Sequence, residues 1–504
     1  MTNTCDFLLA HARPGDVAVV QAGGHSFTYR QLHDAVAGLA SELASAGLPV
    51  GSRVGLVGAN SFFWVASYLA VLKLGHVAVP LSDRSGPAEV RRQVDQVGCA
   101  AAFLDRRVPG NVAAALAAVL GDAPVITDEA MRALPGAPPP SRECDPHADA
   151  VLMFTSGTTA RPKVVRVTHA NIQANTESIV GFLELRSADR ILVVLPFSYC
   201  FGASLLHTHL RCGASLVLGG SLAFPQTVVD LTATHECTEL AGVPSSYQLL
   251  LRASTFATRP LPSLRLLQQA GGKLAPETIE GLLAAKPSAR LYVMYGQTEA
   301  TARLAYLPPD RLPQKLGSIG TAIPGVELRV LDRDGRPVGP GQRGEIYARG
   351  PSISPGYLDD PEGTAEKFTP HGLRTGDVAV VDEDGFLYVV DRVDDFIKSW
   401  GHRISSHEIE ECALRLRGLD AAAAVGVADP EAGEAITLFV TPARGASISA
   451  QDVIAHCRSH LPKHKVPRSV VLVESMPLNA HGKVAKRRLR DLAEHGAATA
   501  ASGR

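Results

Sequence analysis

Short apolar runs alternate with helix-length amphipathic stretches through the first 300 residues, and this alternation constrains the fold more than any other feature. RVGLVGAN (53–60), HVAVPL (76–81), AAAFLD (100–105) and SLVLGG (215–220) read as compact strands. Between them, QLHDAVAGLASELASAG (31–47) and residues 87–96 space their apolar positions as helices do. Strand, helix, strand in repetition predicts a mostly parallel sheet with helices on both faces. VAVVQAGGHSFTY (17–29) predicts two short strands about a Gly-Gly turn. The first 150 residues therefore read as one α/β layer set, with 121–147, which contains GAPPP, as a linker over the surface. A chain of 504 residues is too long for one core.

Composition narrows the function classes. A formal net charge of −1 argues against a nucleic-acid binder, which needs a basic footprint. No pair of the eight cysteines has CxxC spacing, so neither a zinc site nor a redox dithiol is indicated. WVASYLAVLKLGHVAVPL (64–81) carries Lys73 and His76 and reads as a buried helix then a strand, not a membrane span. A cytoplasmic protein with no membrane partner, a monomer or homodimer, is expected.

FTSGTTARPKVV (154–165) sits between two β-prone runs. Thr155, Ser156, Gly157, Thr158 and Thr159 are small or hydroxylic, and Lys163 follows. Such a loop rings an anion with N–H and O–H groups while a lysine neutralises it, and a triphosphate suits it. The Walker spacing is absent. A polar surface turn is the plainer reading of these residues alone. YGQTEAT (295–301) follows a strong β run. Tyr295 suits a purine face, Thr298 a phosphate and Glu299 a Mg²⁺ ion, with Gly296 and Gln297 between them; taken singly, Glu299 is more often a solvated loop acid. Gly271, Gly272 and Lys273 close another strand. Tyr199, Cys200 and Phe201 stand at a strand-to-helix crossing, where open α/β sheets bind ligands, or else they pack as core.

Further on, residues 315–393 alternate as strands between Gly- and Pro-rich turns and predict a β-rich subdomain. Asp377 closes a Thr-Gly-Asp turn, and Arg392 ends a strand before the polar break 393–395. The last 110 residues predict a small α+β unit, with Lys483 in a Gly-flanked turn before a basic helix whose Lys486, Arg487, Arg488 and Arg490 form a solvated face. A mobile turn can carry a lysine to a developing negative charge.

Taken together, FTSGTTARPKVV, YGQTEAT, TGDVA (375–379), DRVDDFIKSWGHRISSHEIE (391–410) and PLNAHGKVAKRRL resemble, in this order and at these distances, the adenylate-forming superfamily of acyl-CoA synthetases, peptide-synthetase adenylation domains and luciferases. The likeness covers roughly residues 10–490. It implies a large domain of layered, mostly parallel α/β sheets over 1–393, a small mobile α+β domain over 394–504, and a hinge at Asp394. It further implies an ATP- and Mg²⁺-dependent ligase that makes an acyl-adenylate and pyrophosphate, then transfers the acyl group to CoA. By this likeness Thr155 to Thr159 and Lys163 hold the β- and γ-phosphates. Tyr295 and the Gly271-Gly272 strand end hold adenine. Thr298 and Glu299 meet the α-phosphate and Mg²⁺, and Asp377, with Arg392 beside it, takes the ribose. Lys483 bridges carboxylate and α-phosphate, and rotation about Asp394 replaces it with Lys398–Gly401 for the thiol step.

The sequence departs from the pattern at Ala160 and Val164, where the family usually has Gly, at Tyr199, where many members have His, and at Ser406, where Pro is common. FSYCFG stands where amino-acid-activating members carry an Asp, which argues against an α-amino acid. Tyr199, Cys200, Phe201, Ser204, Ser245, Ser246 and Gly271 are the implied acid pocket, suited to an aryl or short-to-medium acyl acid. Two alternatives stand beside the CoA ligase. One is an adenylating enzyme that loads a carrier protein or activates nitrite for diazotisation of an aryl amine; the other is a non-enzymatic nucleotide-binding relative.

Overall fold

A computed structural model describes residues 3–21, 23–132, 141–155, 162–392, 396–400, 402–429, 431–443, 445–479 and 484–501, a few of them by backbone alone. The chain divides into two compact units, Met1–Leu328 with Ala348–Arg374, and Arg329–Tyr347 with Thr375–Arg504. The boundary predicted at Asp394 falls outside the described residues. Three strands of the β-rich subdomain, Glu327–Leu331, Arg343–Arg349 and Gly372–Val381, contribute residues to both units.

The first unit is built on two sheets. One has six strands in the order Val125–Thr127, Ala101–Leu104, Arg53–Val57, Val77–Leu81, Asp149–Phe154, Val164–Thr168, parallel except for the last. The other has nine, with a parallel centre of Arg290–Tyr295, Leu266–Gln269, Glu239–Gly242, Arg190–Val193, Ser215–Leu218 and Val17–Gln21. The expectation of one layer set for the first 150 residues is thus corrected. Val17–Gln21 and its hairpin partner Ser26–Thr28 join the nine-stranded sheet, whose other strands come from beyond residue 190. The supposed linker supplies an edge strand, Val125–Thr127, and a 3₁₀ turn, Asp128–Arg132. Val-Ile-Thr, with only two apolar residues, is too short a run to register as a strand from sequence.

Helices Phe62–Lys73, His169–Leu183 and Cys200–Cys212 share one apolar core with residues of both sheets. Phe62–Lys73 is buried at every position from Phe62 to Leu72, which explains its lack of a polar face. Ser61 starts it by accepting the Trp64 N–H at 3.1 Å.

In the second unit, Gly433–Pro442 lies between Leu419–Asp429 and, in parallel, Ser469–Leu472. Helices Ser406–Leu414 and Ala450–His460 pack Ile409, Cys412, Val453 and Cys457 against Ile436, Leu438 and Val440. Leu489, from the helix Lys486–Ala501, packs with Ala423, Val425 and Phe439. This helix is more than a solvated basic face. Lys486 ion-pairs with Glu410 at 2.9 Å, and Arg490 Nε donates to the Gly426 carbonyl at 3.1 Å. Burial alone would raise the Glu410 carboxyl, but Lys486, His407 and the Ala424 N–H hold it below the usual range.

Candidate active site

Four parallel strands of the nine-stranded sheet end on the segments singled out from sequence. Arg190–Val193 leads to Tyr199, Glu239–Gly242 to Ser245, Leu266–Gln269 to Gly271 and Arg290–Tyr295 to Gly296. Ligands of open α/β sheets lie beyond these carboxyl ends. The six-stranded sheet contributes Thr155 at the end of Asp149–Phe154. Its N–H donates to the Lys163 carbonyl at 3.0 Å and closes the base of the loop. Ser156, Gly157, Thr158, Thr159 and Ala160 lie outside the described residues.

Lys163 is placed by a segment that sequence reasoning missed. The Leu358 N–H donates to the Val164 carbonyl at 2.8 Å, and the Arg166 N–H to that of Gly356 at 3.0 Å. Tyr357 is thereby set under Lys163, whose ammonium lies 4.6 Å from the ring centroid and 3.9 Å from Asp360. The Tyr357 hydroxyl donates to Glu299 at 2.7 Å. Burial and then the charge of Glu299 push this phenol up, so it stays a donor. A Gly-Tyr turn followed by Asp-Asp-Pro was the available sequence cue.

Glu299 stands on a single turn, Thr298–Ala300. The chain folds back there so closely that a Cβ on Gly296 would meet the Ala302 carbonyl oxygen at 1.8 Å. Thr301 takes φ 65° and ψ −59°, with the Ala302 N–H donating to the Ala300 carbonyl at 2.7 Å. This is a γ-turn of the strained, positive-φ kind. The Thr301 hydroxyl anchors it on the Ser352 carbonyl at 2.7 Å. Gln297, also in this turn, has a buried amide nitrogen with no partner among the described residues. The Ser354 N–H donates to the Glu299 carbonyl at 2.9 Å.

The Thr298 hydroxyl lies 3.5 Å from Cys200 Sγ, which joins this turn to the predicted acid pocket. Tyr199, Cys200 and Phe201 are buried at the start of their helix, Tyr199 and Phe201 meeting edge to face. Ser204 is also buried, but its hydroxyl donates to the Phe201 carbonyl at 2.7 Å. Ser246 caps its own helix by accepting the Val243 N–H, while Ser245 is part-exposed beside it. Gly271 has φ 89°, and Gln269 holds the turn by donating to the Gly272 carbonyl at 2.7 Å, with Lys273 exposed. Arg303, not singled out from sequence, is buried with its guanidinium carbon 3.9 Å from the Phe201 ring centroid.

The remaining predicted residues belong to the second unit. Asp377 is buried and pairs in register with Arg392 across the hairpin Gly372–Val381 and Leu387–Arg392. Lys398 is exposed, its N–H donating to Glu434 at 2.6 Å. Asp394, Gly401 and Lys483 lie outside the described residues.

A family model described as AMP-binding enzyme matches residues 9–358, and that of its C-terminal domain matches 408–483. This chain belongs to the AMP-binding enzyme family. As a member it is an AMP-forming ligase. Feruloyl-CoA synthase of Amycolatopsis sp. is 32% identical over 94% of this chain and 95% of its own. MenE of Bacillus subtilis, an o-succinylbenzoate CoA synthetase solved with its acyl-adenylate intermediate, superposes with a TM-score of 0.86. It is 26% identical over 97% of this chain and 98% of its own. The amide bond synthetase McbA of Marinactinospora thermotolerans superposes at 0.88, with 29% identity over 97% of this chain and 99% of its own. The layered α/β fold of the AMP-binding enzymes is the fold found here. No helix among the described residues is long and apolar enough to cross a membrane.

Proposed function

We propose that this enzyme activates an organic carboxylic acid, aryl or short-to-medium acyl, with ATP and passes the acyl group to CoA in the cytoplasm. In the first half-reaction a carboxylate oxygen attacks the α-phosphorus and pyrophosphate leaves. In the second the thiol sulfur attacks the acyl carbonyl, AMP leaves, and the thiol proton passes to solvent. The observation that carries the reading is the juxtaposition of Lys163, Tyr357 and Glu299 beside the Thr298–Cys200 contact. A cation from the loop base, a hard oxygen and a hydroxyl stand near an apolar cleft lined by Cys200, Ala203, Ser204, Thr301 and Ala302. That is what a polyphosphate and an uncharged acyl body require of adjacent surfaces.

Lys163 and the loop hydroxyls bind the β- and γ-phosphates, and Thr298 orients the α-phosphate. Tyr295 and Gly271-Gly272 cover adenine, Asp377 and Arg392 hold the ribose, and Lys483 carries positive charge to the displacement. Glu299 fits Mg²⁺: its second oxygen is free of the Tyr357 bond, and a Mg²⁺ ion borne by phosphates keeps most of its ligands as water and phosphate oxygens. The ion supplies charge neutralisation at the phosphates. A second reading keeps the first half-reaction and replaces CoA by a carrier thiol or an amine, and the likeness to an amide bond synthetase supports it.

The test is ATP-dependent pyrophosphate release across aryl acids, aliphatic acids and nitrite, each with and without CoA and an aryl amine. Release with an organic acid that rises on adding CoA is the expected outcome. Release that ignores CoA and rises with an amine, or that needs nitrite, would sink the CoA assignment.

A further inference from the structure

A charged group sits where an acyl pocket has no use for one. Arg303 follows the strained turn at Thr301 and is held by two bonds to Asn175, whose amide donates to the Arg303 carbonyl at 3.0 Å and accepts its N–H at 3.3 Å. The side chain is 1% exposed. Its guanidinium lies over the Phe201 ring, and Nε points at Met294 Sδ at 3.4 Å. Among the described residues no carboxylate pairs with it, and Nη2 has no hydrogen-bond partner. The ionisable neighbours that act on it are Cys200 and Tyr199. Burial lowers its pKa to about 10, so the group stays a cation at neutral pH.

A ring face and a thioether soften the cost of this cation but do not remove it, since a buried ion wants a counter-ion and filled donors. Its position says where that counter-ion comes from. Cys200 touches Thr298, at the end of the cleft where the proposed reaction occurs, and Phe201, the next residue, carries Arg303. Asn175, which bonds the Arg303 backbone, lines an apolar cavity with Cys200, Thr301 and Ala302, so the cation lies behind the wall of that cavity, on the side of an acid's body rather than of its reacting end.

We propose that Arg303 is a specificity-determining residue that selects acids bearing a second, anionic oxygen group remote from the carboxylate being activated, with dicarboxylic acids as the substrate class. The guanidinium donates from Nη2 to that second group. An acid with an all-hydrocarbon tail leaves the donor unfilled and the cation unpaired. This inference rests on the ligase reading above.

The experiment uses the full-length enzyme and matched acids: benzoate with terephthalate, cinnamate with 4-carboxycinnamate, and aliphatic monoacids with the diacids of equal length. Pyrophosphate release gives kcat/KM for each. For at least one matched pair the diacid should be preferred about tenfold to a hundredfold, the worth of a charge-assisted bond. Arg303→Met, of similar length and uncharged, should reverse that preference through KM while Arg303→Lys keeps part of it. Because the matched-pair ratio is measured on the native enzyme, a variant that fails to fold does not blunt the test. Release with monoacids and no diacid preference in any pair would overturn the inference alone. A preference that survives unchanged in Arg303→Met would overturn it as well. No release with any acid would overturn the ligase reading and the inference with it.

Discussion

The role proposed for Glu299 depends on what holds it. Its carboxylate takes the Tyr357 hydroxyl at 2.7 Å, and Tyr357 in turn lies under Lys163. Partners behind a metal ligand set its orientation, and their loss typically weakens metal binding tenfold or more. Tyr357→Phe should raise the Mg²⁺ concentration for half-maximal pyrophosphate release about tenfold, and Glu299→Gln about a hundredfold. Coincident Mg²⁺ titrations for the two variants and the native enzyme would remove Glu299 from the metal. A different residue governs stability. His207 is buried with its Nε2 2.7 Å from the Tyr68 hydroxyl, and burial lowers its pKa from 6.5 to about 3. Below pH 6.5 the unfolded chain binds a proton there that the folded chain refuses. Stability from this group is therefore complete above pH 6.5 and falls as pH drops towards 3, by about 1.4 kcal/mol per pH unit. His169, lowered to about 4 by burial against the opposing pull of Asp145 and Asp149, adds a like slope over a narrower window. Denaturant unfolding between pH 6.5 and 4.5 should therefore show a slope that His207→Gln reduces by about one proton. An unchanged slope would show that His207 titrates normally in the fold.

Single turns decide whether the elements deliver their residues. Gly296 ends the strand Arg290–Tyr295 with the Ala302 carbonyl 1.8 Å from where a Cβ would stand, so the contact is against backbone that cannot swing away. Gly296→Ala should cost about 3 kcal/mol in unfolding free energy and take pyrophosphate release with it. Gly86→Ala, at a helix start with nothing within 4 Å, should stay within about 0.5 kcal/mol. Equal effects would mean that the turn after Tyr295 relaxes freely. Several strands were legible at this scale because they are apolar runs punctuated by Gly or Pro, as in Arg53–Val57 and Ser215–Leu218. The turns proposed as the site stand out in the sequence because hydroxyls, glycines and a carboxylate cluster after such runs. What sequence did not yield depends on distant pairing. Val125–Thr127 is a strand only because Ala101–Leu104 lies beside it. Tyr357 matters only because its backbone borders Val164–Thr168. Arg303 reads as one of many arginines until burial under Phe201 sets it apart, and Lys486 reads as a surface charge until Glu410 faces it.

At the scale of the whole molecule, the residues proposed for one chemistry are divided between two units. Thr298, Glu299 and Lys163 belong to the first, while Asp377, Arg392 and Lys398 belong to the second, as does the stretch of chain that carries Lys483. Two half-reactions that share one acyl-adenylate but need different partners, a cation for the displacement and a thiol for the transfer, are served economically if, as proposed, the chain beyond residue 394 turns between them. The consequence is a separation that no single rigid site would give. Lys483→Ala should lose pyrophosphate release by about a thousandfold, the scale of a fixed charge in a phosphoryl displacement, yet still transfer the acyl group of a supplied acyl-adenylate to CoA. Asp394→Pro should fix φ at the proposed hinge and do the reverse, keeping adenylation within a few-fold and losing the CoA step. Measured side by side, the two variants should fail in opposite halves of the cycle. If each loses both halves equally, one arrangement of the units serves both chemistries, and the rotation has no part in the mechanism.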